Sequence, residues 1–305
     1  MIDELRTFLT VTTVGSIQAA ARHLPLTQSA ITRQIQRLEA ELRCSLLDRS
    51  VKPPRLTRDG EEVRARGRLL IDAVEAFRTS FDPAAEPEGL LRLGIAHAAL
   101  DWRGSNAVAR TIVQLTRVYP KVTVRLSAGW TPRLLGDVLD GSLDAALVLG
   151  RTGGPWPANA TALPIAHDKL VAVAPRTLDV NRRTLFVDLF DRQWVLNPDG
   201  CGYRALLGSL AASMQRSIHV VAEVQGASLQ RELVLAGLGI GLVPETIARG
   251  WTSHRPGGDD LIIIRPQGEP FAITAALIST ETTQRLGRPV EVIGAALIDV
   301  FARRG

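Results

Sequence analysis

The sequence predicts a multidomain α+β chain with a helix-turn-helix module at its amino terminus, a long linker helix, and a larger α/β domain over the remainder. Three observations carry this prediction. Apolar spacing and capping residues divide the first 58 residues into short helices, a heptad-like seam runs from Gly60 to Phe81, and from Leu90 apolar strand-like runs alternate with helical stretches. A length of 305 residues suits two or three such domains.

Composition narrows the functional class. With 46% hydrophobic and 22% charged residues the chain reads as a globular protein, and no apolar run is long enough to cross a bilayer, so no membrane partner is expected. Asp3 and Glu4 oppose the basic start of a secretory signal, which points to the cytoplasm. Cys44 and Cys201 are too few for a disulfide framework and lack metal-ligand spacing. There is no GxSxG elbow, no HExxH and no clustered histidine, so neither an enzyme, a metal nor a cofactor is implied. The formal charge of +5 favours a polyanionic partner. Residues 27–58 concentrate it, with seven Lys and Arg against three acids.

Element by element, the first helix places Leu5, Phe8, Leu9 and Thr12 on one face. Ser16 then caps a second helix with Ile17, Ala20, Ala21 and Leu24 inward, and Pro25 stops it. Thr27 caps a third helix whose inner face is Ala30, Ile31, Ile35, Leu38 and Leu42. Two helices joined by a short turn form a helix-turn-helix.

The outer face of the third helix holds Gln28, Ser29, Thr32, Arg33 and Gln36, and its first acid is Glu39. In such a motif the second helix enters the DNA major groove. There Gln pairs with adenine, Arg with guanine and hydroxyls with base edges or phosphates, while a carboxylate is repelled. Thr27, Gln28, Ser29, Thr32, Arg33 and Gln36 are therefore the candidate contacts to double-stranded DNA. Leu46 and Leu47, a basic Pro-rich turn and Leu56 then form a two-stranded wing, making the module a winged helix-turn-helix. Its Arg49, Lys52 and Arg55 would lie along the flanking backbone or minor groove.

The motifs "AAARHL", "TQSAITRQIQRLEAEL", "LLDR" and "LTRDGEEV", in that order and spacing, resemble those of LysR-type transcriptional regulators. Arg43 departs from the family's usual helix-ending Gly, and Leu47 from its usual Phe. The resemblance implies a sequence-specific regulator of transcription that binds an imperfect palindromic promoter site as a homodimer or homotetramer, acts on RNA polymerase and responds to a small-molecule effector.

Thr57, Glu61 and Glu62 start the linker helix, along which Gly60, Val63, Gly67, Leu70, Val74, Phe77 and Phe81 follow at three- and four-residue steps. A seam that runs on into the Pro-rich "FDPAAEPEG" is better served by a partner helix than by its own domain, so Val63, Gly67, Leu70, Val74, Phe77 and Phe81 are the candidate dimer contacts. The boundaries read from the sequence are 1–58 for the DNA-binding module, 59–89 for the linker helix and hinge, and 90–305 for the effector domain.

From Leu90 the strand runs are "LLRLGIA", "KVTVRLSA", "LDAALVL", "KLVAVAP", "QWVLN", "HVVAEV", "GIGLVP", "LIIIR" and "FAITAALI", with a last helix near Val290 to Arg303. The resemblance implies a periplasmic-binding-protein-like α/β fold of two lobes, the first about 90–163 with 268–305 and the second about 164–267.

Ligands of such sheets sit beyond the strands' carboxyl ends, where helices begin. Three junctions qualify: His97, Ala98 and Ala99, where many family members carry a hydroxyl; Trp130 and Thr131, with Thr131 as the expected N-cap and Pro132 first in the helix; and the Gly-rich turn at Cys201 and Gly202. Free N–H groups at converging helix ends favour an anion such as a carboxylate. Trp102 and Trp130 also suit core positions, and Cys201 reads as cleft-lining rather than redox-active, since no second cysteine follows it. The glycines of "GLGIG" lead into a strand and so do not form a dinucleotide fingerprint. Two other classes compete with the regulator: an enzyme on a two-lobed scaffold, which turnover of a metabolite would reveal, and an effector-blind DNA-binding protein, which a ligand screen by thermal shift separates from it.

Overall fold

Three capped helices open the chain. Helix α1 (Ile2–Val14) ends at Gly15, whose φ of +82° is the left-handed geometry that glycine adopts without steric cost. Helix α2 (Ile17–His23) starts where the Ser16 hydroxyl accepts the Ala19 N–H at 3.0 Å, and α3 (Gln28–Leu42) where the Thr27 hydroxyl accepts the Ala30 N–H at 3.2 Å. Both caps stand where the sequence places them. Arg43 closes α3 at φ 55°, a left-handed geometry that costs a non-glycine residue about 1–2 kcal/mol. Phe8, Ile31, Ile35, Leu38 and Leu46 make the buried centre of this module. Of the expected α2 stripe only Ala20 is fully buried, while Ile17, Ala21 and Leu24 pack around its edge.

The structure is a computed structural model and describes all residues except 52–53, 80–86, 104, 181–183, 253–259, 268–270, 281–286 and 303–305. Two compact units result, one built on Met1–Glu86 and the other on nearly all of the chain from Pro87 onward. In the first, strands β1 (Leu47–Asp48) and β2 (Arg55–Leu56) pair antiparallel as the wing, with Leu47 opposite Leu56. Helix α4 (Arg58–Thr79) follows, and the Thr57 hydroxyl accepts its Gly60 N–H at 2.9 Å.

Two positions of the linker seam also touch their own module. Gly67 lies so close to α1 that a Cβ on it would stand 2.6 Å from Leu5 Cδ1, and Val63 packs on the module's core beside buried Ile71. Leu70 is 40% exposed and remains available to a partner, as is part of Val74, which is half-buried. The Phe77 side chain and Phe81 lie outside the described residues.

The second unit begins with a βαβαβ run. It comprises β3 (Gly89–Ala96), α5 (His97–Arg103), α6 (Ser105–Val118), β4 (Val122–Gly129), α7 (Thr131–Leu139) and β5 (Ala145–Arg151). Strand β3 lies parallel to both β4 and β5. Then come β6 (Thr161–Pro175), β7 (Gln193–Leu196), α8 (Gly202–Ser213), β8 (His219–Glu223) and α9 (Ala227–Leu235). The chain ends with β9 (Ile240–Pro244), α10 (Glu245–Thr252), β10 (Leu261–Ile264), β11 (Ala272–Ser279) and α11 (Gly287–Ala302).

The sheet order is β4-β3-β5-β11-β6-β9-β7-β8, with β10 also on β6. Strand β6 is the shared member: its first half pairs antiparallel with β11 and its second half with β9 and β10. It thereby joins a lobe of β3, β4, β5 and β11 to a lobe of β7 to β10. Residues 161–168 are missing from the sequence-derived strand because Pro164 and a mostly exposed side-chain pattern disguise them, and the ladder shifts register between Ala275 and Ala276.

Inside the first lobe Arg92 and Asp144 form a buried ion pair, 5% and 1% exposed. The guanidinium donates to Asp144 through Nε at 3.0 Å and a terminal nitrogen at 2.5 Å, and the Arg92 backbone N–H donates to the same carboxylate at 2.6 Å. In the second lobe Trp194 is fully buried, its indole N–H donating to Leu189 O at 3.1 Å. No helix among the described residues is long and apolar enough to cross a membrane.

Candidate nucleic-acid interface and interlobe cleft

The outer face of α3 is built as its sequence suggests. Gln28, Ser29, Arg33 and Gln36 are exposed, Thr32 is half-buried, and no acid lies among them. The Thr32 hydroxyl donates to Gln28 O at 2.8 Å, which leaves its oxygen able to accept but commits its proton. Thr27 is exposed, yet its hydroxyl caps the helix and stands 3.0 Å from the Ser29 hydroxyl. Gln34 looks inward, accepting from the Thr7 hydroxyl of α1, and so fixes how α3 sits on the module.

Glu39 explains why the first acid of α3 comes so late. Its Oε1 accepts the Leu46 N–H at 2.9 Å, and its Oε2 meets the Arg49 guanidinium at 2.8 Å. The acid therefore pins the start of the wing to α3 and aims Arg49, whose side chain is still half exposed. Arg55 is exposed on β2 opposite Asp48. Lys52 lies outside the described residues.

In the second unit His97, the first residue of α5, meets Trp130 edge to face, with ring centroids 4.9 Å apart. Gly200 of the other lobe comes close as well, since a Cβ on it would stand 3.7 Å from Trp130 Cβ. Trp130 is half-buried and lines the cleft instead of filling a core; the Trp102 side chain lies outside the described residues. Ala98 and Ala99 are buried and bring no polar side-chain atom.

The junction at Thr131 also differs from expectation. The Trp130 carbonyl accepts the Leu134 N–H at 3.0 Å, so Trp130 is the capping position and Pro132 is second in α7. The Thr131 hydroxyl instead donates to Leu149 O at 3.3 Å.

At the third junction the Cys201 N–H is engaged by Pro198 O at 3.2 Å, so it is not a free donor. Burial pushes the Cys201 thiol above its ordinary pKa, against the pull of the Tyr203 and Arg204 N–H groups, and the thiol forms no capping hydrogen bond on α8. Gly202 is half-buried beside Leu149 O. A cavity of about 230 Å³ adjoins these residues, lined by Leu149, Arg151, Gly202, Tyr203 and Ser209 among others.

The remaining question is one of kinship. The family model for the LysR-type bacterial regulatory helix-turn-helix matches residues 2–61, and that for the LysR substrate binding domain matches residues 84–288. The chain belongs to the LysR family of transcriptional regulators. As a LysR-type protein it is a DNA-binding regulator with an effector-binding domain, not an enzyme. The HTH-type transcriptional regulator CzcR of Bacillus anthracis is 26% identical over 246 residues, 80% of each chain. YofA of Bacillus subtilis is 25% identical over 284 residues, 90% of this chain and 94% of its own. Among solved structures, a full-length OxyR variant from Pseudomonas aeruginosa aligns with a TM-score of 0.78 at 20% identity, covering 97% of this chain and 94% of that one. Full-length CbnR complexed with its target DNA aligns with a TM-score of 0.57 at 21% identity, covering 97% and 99%. Both share this LysR-type fold.

Sequence reasoning overlooked three residues at these sites. Glu39 was visible only as the end of an acid-free run, and its role depends on where the wing folds back. Tyr203 has a buried hydroxyl without a hydrogen-bond partner among the described residues; burial pushes the phenol well above its ordinary value, and the charges of Cys201, Asp168 and Asp101 add to the shift. Asp101 of α5 accepts the Ala227 N–H of α9 at 3.1 Å, a contact between residues 126 positions apart. Burial pushes its carboxyl above the ordinary value, with the Ala227 N–H and His97 opposing.

Proposed function

We propose that this LysR-type regulator acts in the cytoplasm as a homodimer or homotetramer on an imperfect palindromic promoter site, and that a small anionic effector in the interlobe cleft changes its action on RNA polymerase. The observation that carries the DNA half is the exposed, acid-free face of α3, with Gln28, Ser29, Arg33 and Gln36 open to solvent where base edges would lie. A two-fold oligomer would present two such helices to two half-sites. Exposed Leu70 and the apolar positions that follow it along α4 support a helix-to-helix contact between subunits.

The effector half is supported by helix ends meeting at the cleft. Helix α8 starts without a side-chain cap, and α9 already receives a carboxylate at its first N–H. The effector would shift a population of lobe arrangements, by no more than its differential affinity for them. A second reading has its own support: Ala98 and Ala99 offer no hydroxyl and that of Thr131 is spent on Leu149, as an effector-blind regulator would allow.

Binding to the DNA upstream of the protein's own coding sequence tests the first half. Wild type should bind a palindrome-centred site, and Arg33→Ala should lose about 1–3 kcal/mol there. Equal binding by the mutant, with only salt-sensitive and sequence-blind affinity, would remove Arg33 as a base reader. A thermal-shift screen of small carboxylates then separates the effector reading from the effector-blind one.

A further inference from the structure

Helix α9 is capped from the other lobe. Its own N-cap is Gly226, at φ +92° and with no side chain to accept an N–H, whereas α2, α3 and α4 each begin at a serine or threonine hydroxyl. The acceptor is supplied instead by Asp101, carried on α5 of the first lobe. A carboxylate is well suited to a helix N-terminus, where N–H dipoles converge.

The surroundings make this contact more than a local cap. His97 lies one turn before Asp101 on α5 and touches Trp130, which Gly200 of the other lobe approaches in turn. Asp101 thus reaches from the wall of the cleft to a helix of the opposite lobe. The Tyr203 hydroxyl of α8 is buried and has no hydrogen-bond partner among the described residues.

We propose that Asp101 is a latch between the lobes: its carboxylate holds the N-terminus of α9 in the observed arrangement, and an incoming carboxylate releases it by taking over that N–H. The first half stands without any effector. The second rests on the anionic-effector reading given above.

The test uses the full-length chain in a Cys44→Ser background, with spin labels at Arg133→Cys on α7 and Ser213→Cys at the end of α8. Both positions are exposed, and buried Cys201 stays unlabelled. Pulsed electron resonance reads the interlobe distance distribution. Asp101→Ala should shift or split it, while Asp101→Asn, whose amide oxygen can still accept the Ala227 N–H, should stay closer to wild type. An Asp101→Ala distribution identical to wild type overturns the latch.

Sodium acetate, compared with sodium chloride at equal ionic strength, should move wild type toward the Asp101→Ala distribution and leave that variant unchanged. If Asp101→Ala shifts but acetate has no effect on wild type, the latch stands and its release by a carboxylate is overturned. Absence of any effector in the thermal-shift screen would leave the Asp101→Ala outcome intact, so the two failures are told apart.

Discussion

At the scale of single residues, position relative to the backbone decides what a side chain can do. Cys201 stands at the start of a helix, a location that ordinarily lowers a thiol pKa, yet it is only 3% exposed and desolvation wins. A raised thiol pKa means that the folded chain keeps its proton after the unfolded thiol has ionised. The thiol's contribution to stability is therefore present below the unfolded pKa and is lost as pH rises through the folded one. Iodoacetamide should accordingly modify Cys201 of the folded chain far more slowly near neutral pH than in urea, with the rate climbing only in alkaline solution. Peptide mass spectrometry follows it, and a folded rate equal to the denatured one would show that the site is open and the thiol reactive. The sequence pointed to this cysteine as cleft-lining, but the sign of its shift depends on the packing above it, which no local motif encodes.

At the scale of elements, the helices of the first module were legible because their signals are local: Ser16, Thr27 and Gly15 act within four residues of themselves. The linker seam was only half legible, since heptad spacing shows that one face of α4 is apolar but not which neighbour covers it. Gly67 fits against Leu5 because it has no Cβ, and that proximity is set by the fold of α1. The Arg92 and Asp144 pair was missed for a related reason, each residue lying inside or beside an apolar strand run with nothing nearby to suggest the other. A lone arginine within "LLRLGIA" is itself a signal, because a buried guanidinium requires an acid within reach. Asp144→Ala should thus destabilise the effector domain by about 3–5 kcal/mol, because it removes a buried carboxylate to which the Arg92 guanidinium and backbone N–H both donate. Chemical denaturation of the full-length chain reads the change in midpoint. A loss below about 1 kcal/mol would mean that water or another acid serves Arg92 once Asp144 is gone.

At the scale of the whole molecule, the two-unit plan and the family were legible, whereas the division of labour among its positive charges was not. Arg33, Arg49 and Arg55 look equivalent in sequence, but the structure ties Arg49 to Glu39, leaves Arg33 on an acid-free helix face and sets Arg55 on the wing. These placements assign different physics to each. A phosphate contact releases counterions and steepens the fall of affinity with salt by about 0.9 per charge on a logarithmic scale. A base contact instead distinguishes one sequence from another. Arg55→Ala should weaken binding to operator and unrelated DNA alike and reduce the salt slope by about 1 per subunit, hence about 2 for a dimer. Arg49→Ala should do the same and also loosen the wing, because Glu39 would be left holding only the Leu46 and Leu47 N–H groups. Anisotropy titrations of operator and scrambled duplexes across a salt series separate these effects. If Arg55→Ala lost affinity for the operator alone with the slope unchanged, the wing would be reading sequence through its side chains, and specificity would have to be shared between α3 and β2.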